Sequence, residues 1–136
     1  MTCSHIVECL RKNNIEPEAF ASSEYSNEYK VSNALVYDKT TQFYSKQENK
    51  PQFWGVYFKQ PVSIKGYEIT TNPVNENFVS IYNWTFSLSF DNKTWSVVHG
   101  PVESTLTEKL YYFNQHYNAL YARIDGNSLI LGIKPE

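Results

Sequence analysis

Four aromatic side chains in polar stretches carry the clearest chemistry of this sequence: Tyr25, Tyr29, Phe78 and Tyr82. A ring exposed on a loop offers a large apolar area at small entropic cost. It can stack on a sugar face, enter a lipid surface or anchor a protein partner. Carboxamides accompany these rings: Gln47 and Asn49 in residues 44–52, and Asn72, Asn75 and Asn77 in residues 71–82. Each supplies both a donor and an acceptor, which is what a ligand hydroxyl needs. Lys46, Glu48 and Lys50 make the middle stretch polar enough to read a ligand, or to form an ordinary solvated tip. Asn clusters also make turns, and loop rings also fold back to cap a sheet, so both readings stand at this level.

Catalytic chemistry has no comparable footing. His5, His99 and His116 are far apart, and none has a zinc-ligand spacing to a Cys or another His. The five glycines are scattered singly, which leaves neither a phosphate loop nor a nucleophile elbow. The expectation is a protein that catalyses nothing. A formal net charge of −2 supplies no general attraction to phosphate, which argues against nucleic acid and weakens peripheral lipid binding. No segment approaches the roughly 20 apolar residues needed to span a bilayer, and the first thirty residues hold no signal-peptide core. The two cysteines, Cys3 and Cys9, close too short a loop to staple a domain, and free thiols suit a reducing compartment. A cytoplasmic location is the expectation, and the sequons at Asn83 and Asn92 are read as chance.

The elements that must position the loop residues are strands. Aromatics make up 16% of the 136 residues, with eleven Tyr, eight Phe and three Trp, a bias that favours pleated sheet over a helical bundle. In residues 83–90 Trp84, Phe86, Leu88 and Phe90 alternate with Thr85, Ser87 and Ser89, predicting one buried face and one wet face. Asp91-Asn92-Lys93 predicts a tight turn with Asn92 at positive φ, returning through residues 94–99. Trp54, Val56 and Phe58 alternate similarly, Pro61 breaks the run, and residues 62–70 continue it. Residues 109–113, 120–124 and 129–133 complete about seven strands, the spacing of a sandwich or barrel. Trp84 and Trp95 are assigned to the core, and Arg123 to a buried ion pair or carbonyl contact rather than to ligand binding. Cys3, Ile6, Val7 and Leu10 at helical spacing in residues 3–13 predict a short amphipathic helix or turn before an Asn13-Asn14 stop. The organisation expected is a helical lead-in or linker over residues 1–16 and one β-sandwich over residues 17–136. Residues 23–33, 44–52 and 71–82 are longer than connections require, which is common where loops carry function.

The order of features over residues 20–133 resembles the discoidin family, the coagulation factor 5/8 type C domains among the galactose-binding-like jelly rolls. The resemblance is carried by Ala21-Ser22-Ser23 with Tyr25, by Asn33-Ala34-Leu35, and by Thr41, Phe43 and Ser45. Pro51-Gln52-Phe53, Val56-Tyr57-Phe58, Trp84 through Trp95, and Ala122-Arg123-Ile124 continue it. The chain departs from the family where Val36-Tyr37 replaces an Asp-Gly pair, Tyr57 an Asp, Lys59 a Gly and Phe43 a Trp. The resemblance implies an antiparallel, all-β jelly-roll sandwich and a recognition module using the loop end. It implies glycan, lipid or protein ligands, of which a glycan or a protein suits this chain better. A calcium ion occurs in some members; with the usual Asp missing, Asp38 is the substitute ligand to consider, and otherwise no cofactor is expected. Two further roles stay open: a structural or adaptor segment of a larger intracellular protein, and a carbohydrate-binding appendage of a glycosidase.

Overall fold

The computed structural model describes residues 5–24, 26–35, 43–44, 51–70, 83–103, 108–127 and 130–135. One short helix, α1 (Ile6–Lys12), precedes seven strands: β1 (Glu18–Ala21), β2 (Phe43–Tyr44), β3 (Pro51–Thr70), β4 (Asn83–Ser89), β5 (Ser96–Glu103), β6 (Glu108–Asn127) and β7 (Ile130–Pro135). Every pairing among them is antiparallel.

Hydrogen bonding runs through all seven strands because β3 and β6 each belong to two layers. The first half of β3 lies between β1 and the second half of β6, which in turn carries β4 and then β5. The second half of β3 lies between the first half of β6 and β7, which carries β2. The change of layer occurs between the rungs Tyr57↔Tyr121 and Val62↔Ala119, where four residues of β3 stand opposite Leu120 alone. Pro61 lies in this unpaired step, where its missing N–H costs no ladder bond. The run predicted to break at Pro61 is therefore one strand that bends, and residues 109–113 and 120–124 likewise belong to one strand. Lys59 makes the turn at φ 70°, in the region where glycine is the ordinary occupant.

A second irregularity, between Ile64↔Tyr117 and Gly66↔Tyr112, changes the side-chain phase. Trp54, Val56, Phe58 and Ile64 face inward at even positions, whereas Tyr67 and Ile69 face inward at odd ones. Without this bulge the tyrosine and isoleucine would point to the opposite surface. Tyr67 instead stacks flat on Phe86 of the other layer, with ring centroids 4.3 Å apart and an interplanar angle of 10°. That contact joins the two layers face to face across the core, in which Trp54, Trp84, Phe43, Phe58 and Ile124 are also almost wholly buried.

Trp84, Phe86 and Leu88 face this core as the alternation predicts, but Phe90 does not: it is 55% exposed, because β4 ends at Ser89 and the turn swings it out. The opposite face is not wet either, for Ser87 and Ser89 are 4% and 5% exposed. Ser89 is buried by its own turn, its hydroxyl accepting from the Asp91 and Asn92 amides and donating to Asp91 Oδ1. Asn92 has φ 59°, as the turn requires. Trp95 also departs from its core assignment, since it packs on the outer surface of the β3–β6–β4 layer against Tyr121 and Arg123.

The helix ends in a Schellman motif, with the Ile15 amide on Leu10 O, the Asn14 amide on Arg11 O, and Asn14 at φ 62°. Val7 and Leu10 are 1% and 3% exposed and belong to the same core as the strands. Arg11 pairs with Glu16 at 2.8 Å and donates to Leu35 O at 3.2 Å, fastening the helix to the segment before β2.

Candidate functional site

Strand register decides which loops can act together. Tyr44 pairs with Ile130, Pro51 with Asn127, Trp84 with Gly126, Asn83 with Glu103, and Thr70 with both Glu108 and Gly132. Two residues separate Asn127 from Ile130, so the free edges of both layers return to one end of the sandwich. The described bases of residues 23–33, 44–52 and 71–82 all lie there.

The first of these loops is built from backbone and side-chain bonds that can be followed atom by atom. The Ser22 amide adds one more rung to Phe53 O, and the Phe53 amide donates to Ser22 Oγ at 3.0 Å. The hydroxyls of Ser22 and Ser23 both donate to Gln52 Oε1, at 2.6 and 2.7 Å. Gln52 is only 2% exposed, and among the described residues its Nε2 has no acceptor, leaving a buried amide donor at the loop base. Glu24 Oε2 accepts from the Val31 amide at 2.7 Å, which closes the loop on itself. The indole of Trp54 donates to Val31 O at 2.9 Å, and Asn33 Nδ2 donates to Glu28 O at 2.8 Å. Two 3₁₀ turns, Asn27–Tyr29 and Val31–Leu35, fill the interval. A loop held by this many bonds to buried strand residues keeps its shape before any ligand arrives, so little ordering cost remains at binding.

A cleft of about 260 Å³ opens at the same end between Pro51, Asn83, Thr85, Pro101 and Asp125. Asp125 accepts from Arg123 Nε at 2.9 Å, and the guanidinium lies between the rings of Phe53 and Trp95, 4.6 and 4.8 Å from their centroids. Arg123 is thus held on the outer surface by a half-buried ion pair and two rings. Tyr57, standing where the resembling family has an Asp, stacks on Tyr121 at 4.7 Å.

Of the residues singled out in the sequence, Tyr29 closes the first 3₁₀ turn, though its side chain is outside the described set. Tyr25, Asp38, Gln47, Asn49, Asn75, Asn77, Phe78 and Tyr82 also lie outside the described residues. The Ser22, Ser23 and Gln52 network was not legible in spacing, because its partners are about thirty positions apart and meet only through the β1–β3 register. Sequence alone assigns Arg123 a buried ion pair or carbonyl contact without naming Asp125, although residues two apart on a strand share a face and these two have opposite charge. Among the described residues no three His, Cys, Asp or Glu gather to hold a metal ion, and no helix is long and apolar enough to cross a membrane.

A two-layer sandwich that brings the described bases of its long connecting segments to one end has the architecture of a binding module. The F5/8 type C domain model matches residues 18–130, and the chain belongs to that family. Solved structures agree on the fold. Chitosan-binding module 1 of a chitosanase/glucanase from Paenibacillus sp. IK-5 superimposes with a TM-score of 0.80 at 16% identity, covering 98% of this chain and 99% of that one. The family 32 CBM of NanJ from C. perfringens, in complex with galactose, gives 0.75 at 16% identity, covering 88% and 92%. The CpGH89CBM32-5 module from Clostridium perfringens, in complex with GalNAc-β-1,3-galactose, gives 0.76 at 15% identity, covering 88% and 94%. No curated protein matches the sequence.

Proposed function

We propose that this domain binds a glycan at the end of the sandwich where residues 23–33, 44–52 and 71–82 converge, and that it serves as a carbohydrate-binding appendage of a glycoside-degrading enzyme. The observation that carries the reading is the register that returns Ser23, Tyr44, Pro51, Thr70 and Asn83 to one end. Rings at Tyr25, Tyr29, Phe78 and Tyr82 would stack on sugar faces, and the amides of Gln47, Asn49, Asn75 and Asn77 would read hydroxyls. Modules of this fold are described in complex with galactose and with GalNAc-β-1,3-galactose, and one derives from a chitosanase/glucanase, which supports both parts of the proposal.

A glycan array that includes galactosides and chitosan oligomers tests it. Specific binding that falls at least about tenfold in Tyr29→Ala or Tyr82→Ala is the expected result. Absence of binding to every glycan at millimolar concentration would overturn the proposal, and would favour a protein partner at the same end.

A further inference from the structure

A second cleft formed by described residues lies away from the loop end. It has a volume of about 460 Å³, inside the roughly 300–1,000 Å³ range of small-molecule sites, and opens beside the β4–β5 turn. β4 and β5 meet the loop cluster at Asn83 and Glu103, so the turn that joins them marks the opposite end of the same strands. Leu88 and Val98 form an apolar floor, and Tyr117 reaches the cleft from the segment of β6 next to its bulge.

The lining combines two kinds of surface. Phe90 is 55% exposed, and Tyr117, half-buried against the core, contributes a second ring to the lining, braced edge-on by Phe113 at 5.4 Å. Asp91 keeps its carboxylate in place with Oδ1, which accepts from the Lys93 and Thr94 amides at 2.9 and 2.7 Å. Those bonds also hold its pKa down to about 2, so the group is an anion in all ordinary conditions. The carboxylate also takes a side-chain bond from Thr94, and the exposed Asn118 carboxamide and Ser96 hydroxyl line the cleft beside it. Among the described residues no cation lines the cleft, which disfavours phosphate or carboxylate ligands. An anionic acceptor, a carboxamide and a hydroxyl beside two ring faces match a ligand that has hydroxyl donors around its edge and C–H groups on its face.

We propose that this cleft is a second saccharide site, in which a pyranose stacks on Phe90 and Tyr117 while its hydroxyls are read by Asp91 and Asn118. The inference rests on the cleft's own lining, at the end away from the loops, and stands or falls separately from the loop-end reading.

Amide chemical-shift titration of the whole domain with methyl β-galactoside, methyl β-glucoside and N-acetylglucosamine tests it, with cyclohexanol as a probe having the apolar face but a single hydroxyl. The expected result is saturable shifts at Phe90, Asp91, Tyr117 and Asn118 with at least one sugar, weakened about tenfold in Phe90→Ala and several-fold in Asn118→Ala. Both positions are exposed, and if one variant fails to fold the other reads the same contact. Absence of shifts at these four amides with every sugar would overturn the proposal. So would an equal response to cyclohexanol, or unchanged affinity in the folded variants. Shifts confined to Ser22, Ser23 and Val31 would reject the cleft while leaving the loop end standing.

Discussion

At the scale of single residues, the most informative group is the chain of bonds through Tyr67. Trp84 Nε1 donates to the Tyr67 hydroxyl at 2.9 Å, and that hydroxyl lies 2.6 Å from His99 Nδ1. The phenol either donates to an unprotonated Nδ1 or accepts from Nδ1–H, according to the imidazole tautomer. Burial pushes the Tyr67 pKa up and the His99 pKa down, so for both groups folding favours the uncharged form. Because the folded His99 has the lower pKa, the unfolded chain binds more protons as pH falls. The contribution is therefore complete above about 6.5, the ordinary histidine value, and is lost as pH drops from there through the folded value. The melting temperature should fall across that window in the wild type and flatten in His99→Gln; equal slopes would contradict the assignment. Tyr67→Phe leaves a buried indole donor without its acceptor and should cost about 1–3 kcal/mol in denaturant unfolding. Lys59 makes the opposite prediction. A non-glycine residue at φ 70° is strained by about 1–2 kcal/mol, while its pairing with Glu18 at 3.5 Å is exposed and weak. Lys59→Gly should be neutral to stabilising by up to about 1 kcal/mol and Lys59→Val clearly destabilising, both read from chemical denaturation.

At the scale of elements, the helix is structural. Val7 and Leu10 lie in the common core, and Leu10→Ala should cost about 2–5 kcal/mol. Deleting residues 1–15 should therefore lower the melting temperature sharply, and a truncated chain that melts like the full one would refute the packing described. Loss of solubility in such a deletion reports on packing and does not by itself reveal an adaptor's partner. The strands show what local pattern can and cannot tell. Alternation at Trp54, Val56 and Phe58, and at Trp84, Phe86 and Leu88, identified inward faces correctly because period two is a property of the backbone. It failed at Phe90 and Ser89, whose exposure the turn decides, and at Ser87; the separate core assignment of Trp95 failed because its ring packs against Arg123. The continuity of β3 past Pro61 was hidden for a related reason: whether a missing N–H matters depends on whether a partner strand is there to receive it.

For the molecule as a whole, two layers sharing a pair of bent strands fix the loop bases against a core of rings. The sandwich and its family were legible in the ordered sequence segments, and the gathering of three loops at one end follows from register. The Ser22, Ser23 and Gln52 brace was not legible, since it joins residues distant in sequence through a pairing that only the folded chain displays. The most direct test of glycan recognition at the loop end is amide shift mapping with the strongest ligand from the array. Shifts should fall on residues 23–33, 44–52 and 71–82, and on the brace at the loop base formed by Ser22, Ser23, Gln52 and Val31. Saturable sugar binding that leaves all of these unmoved would contradict the account.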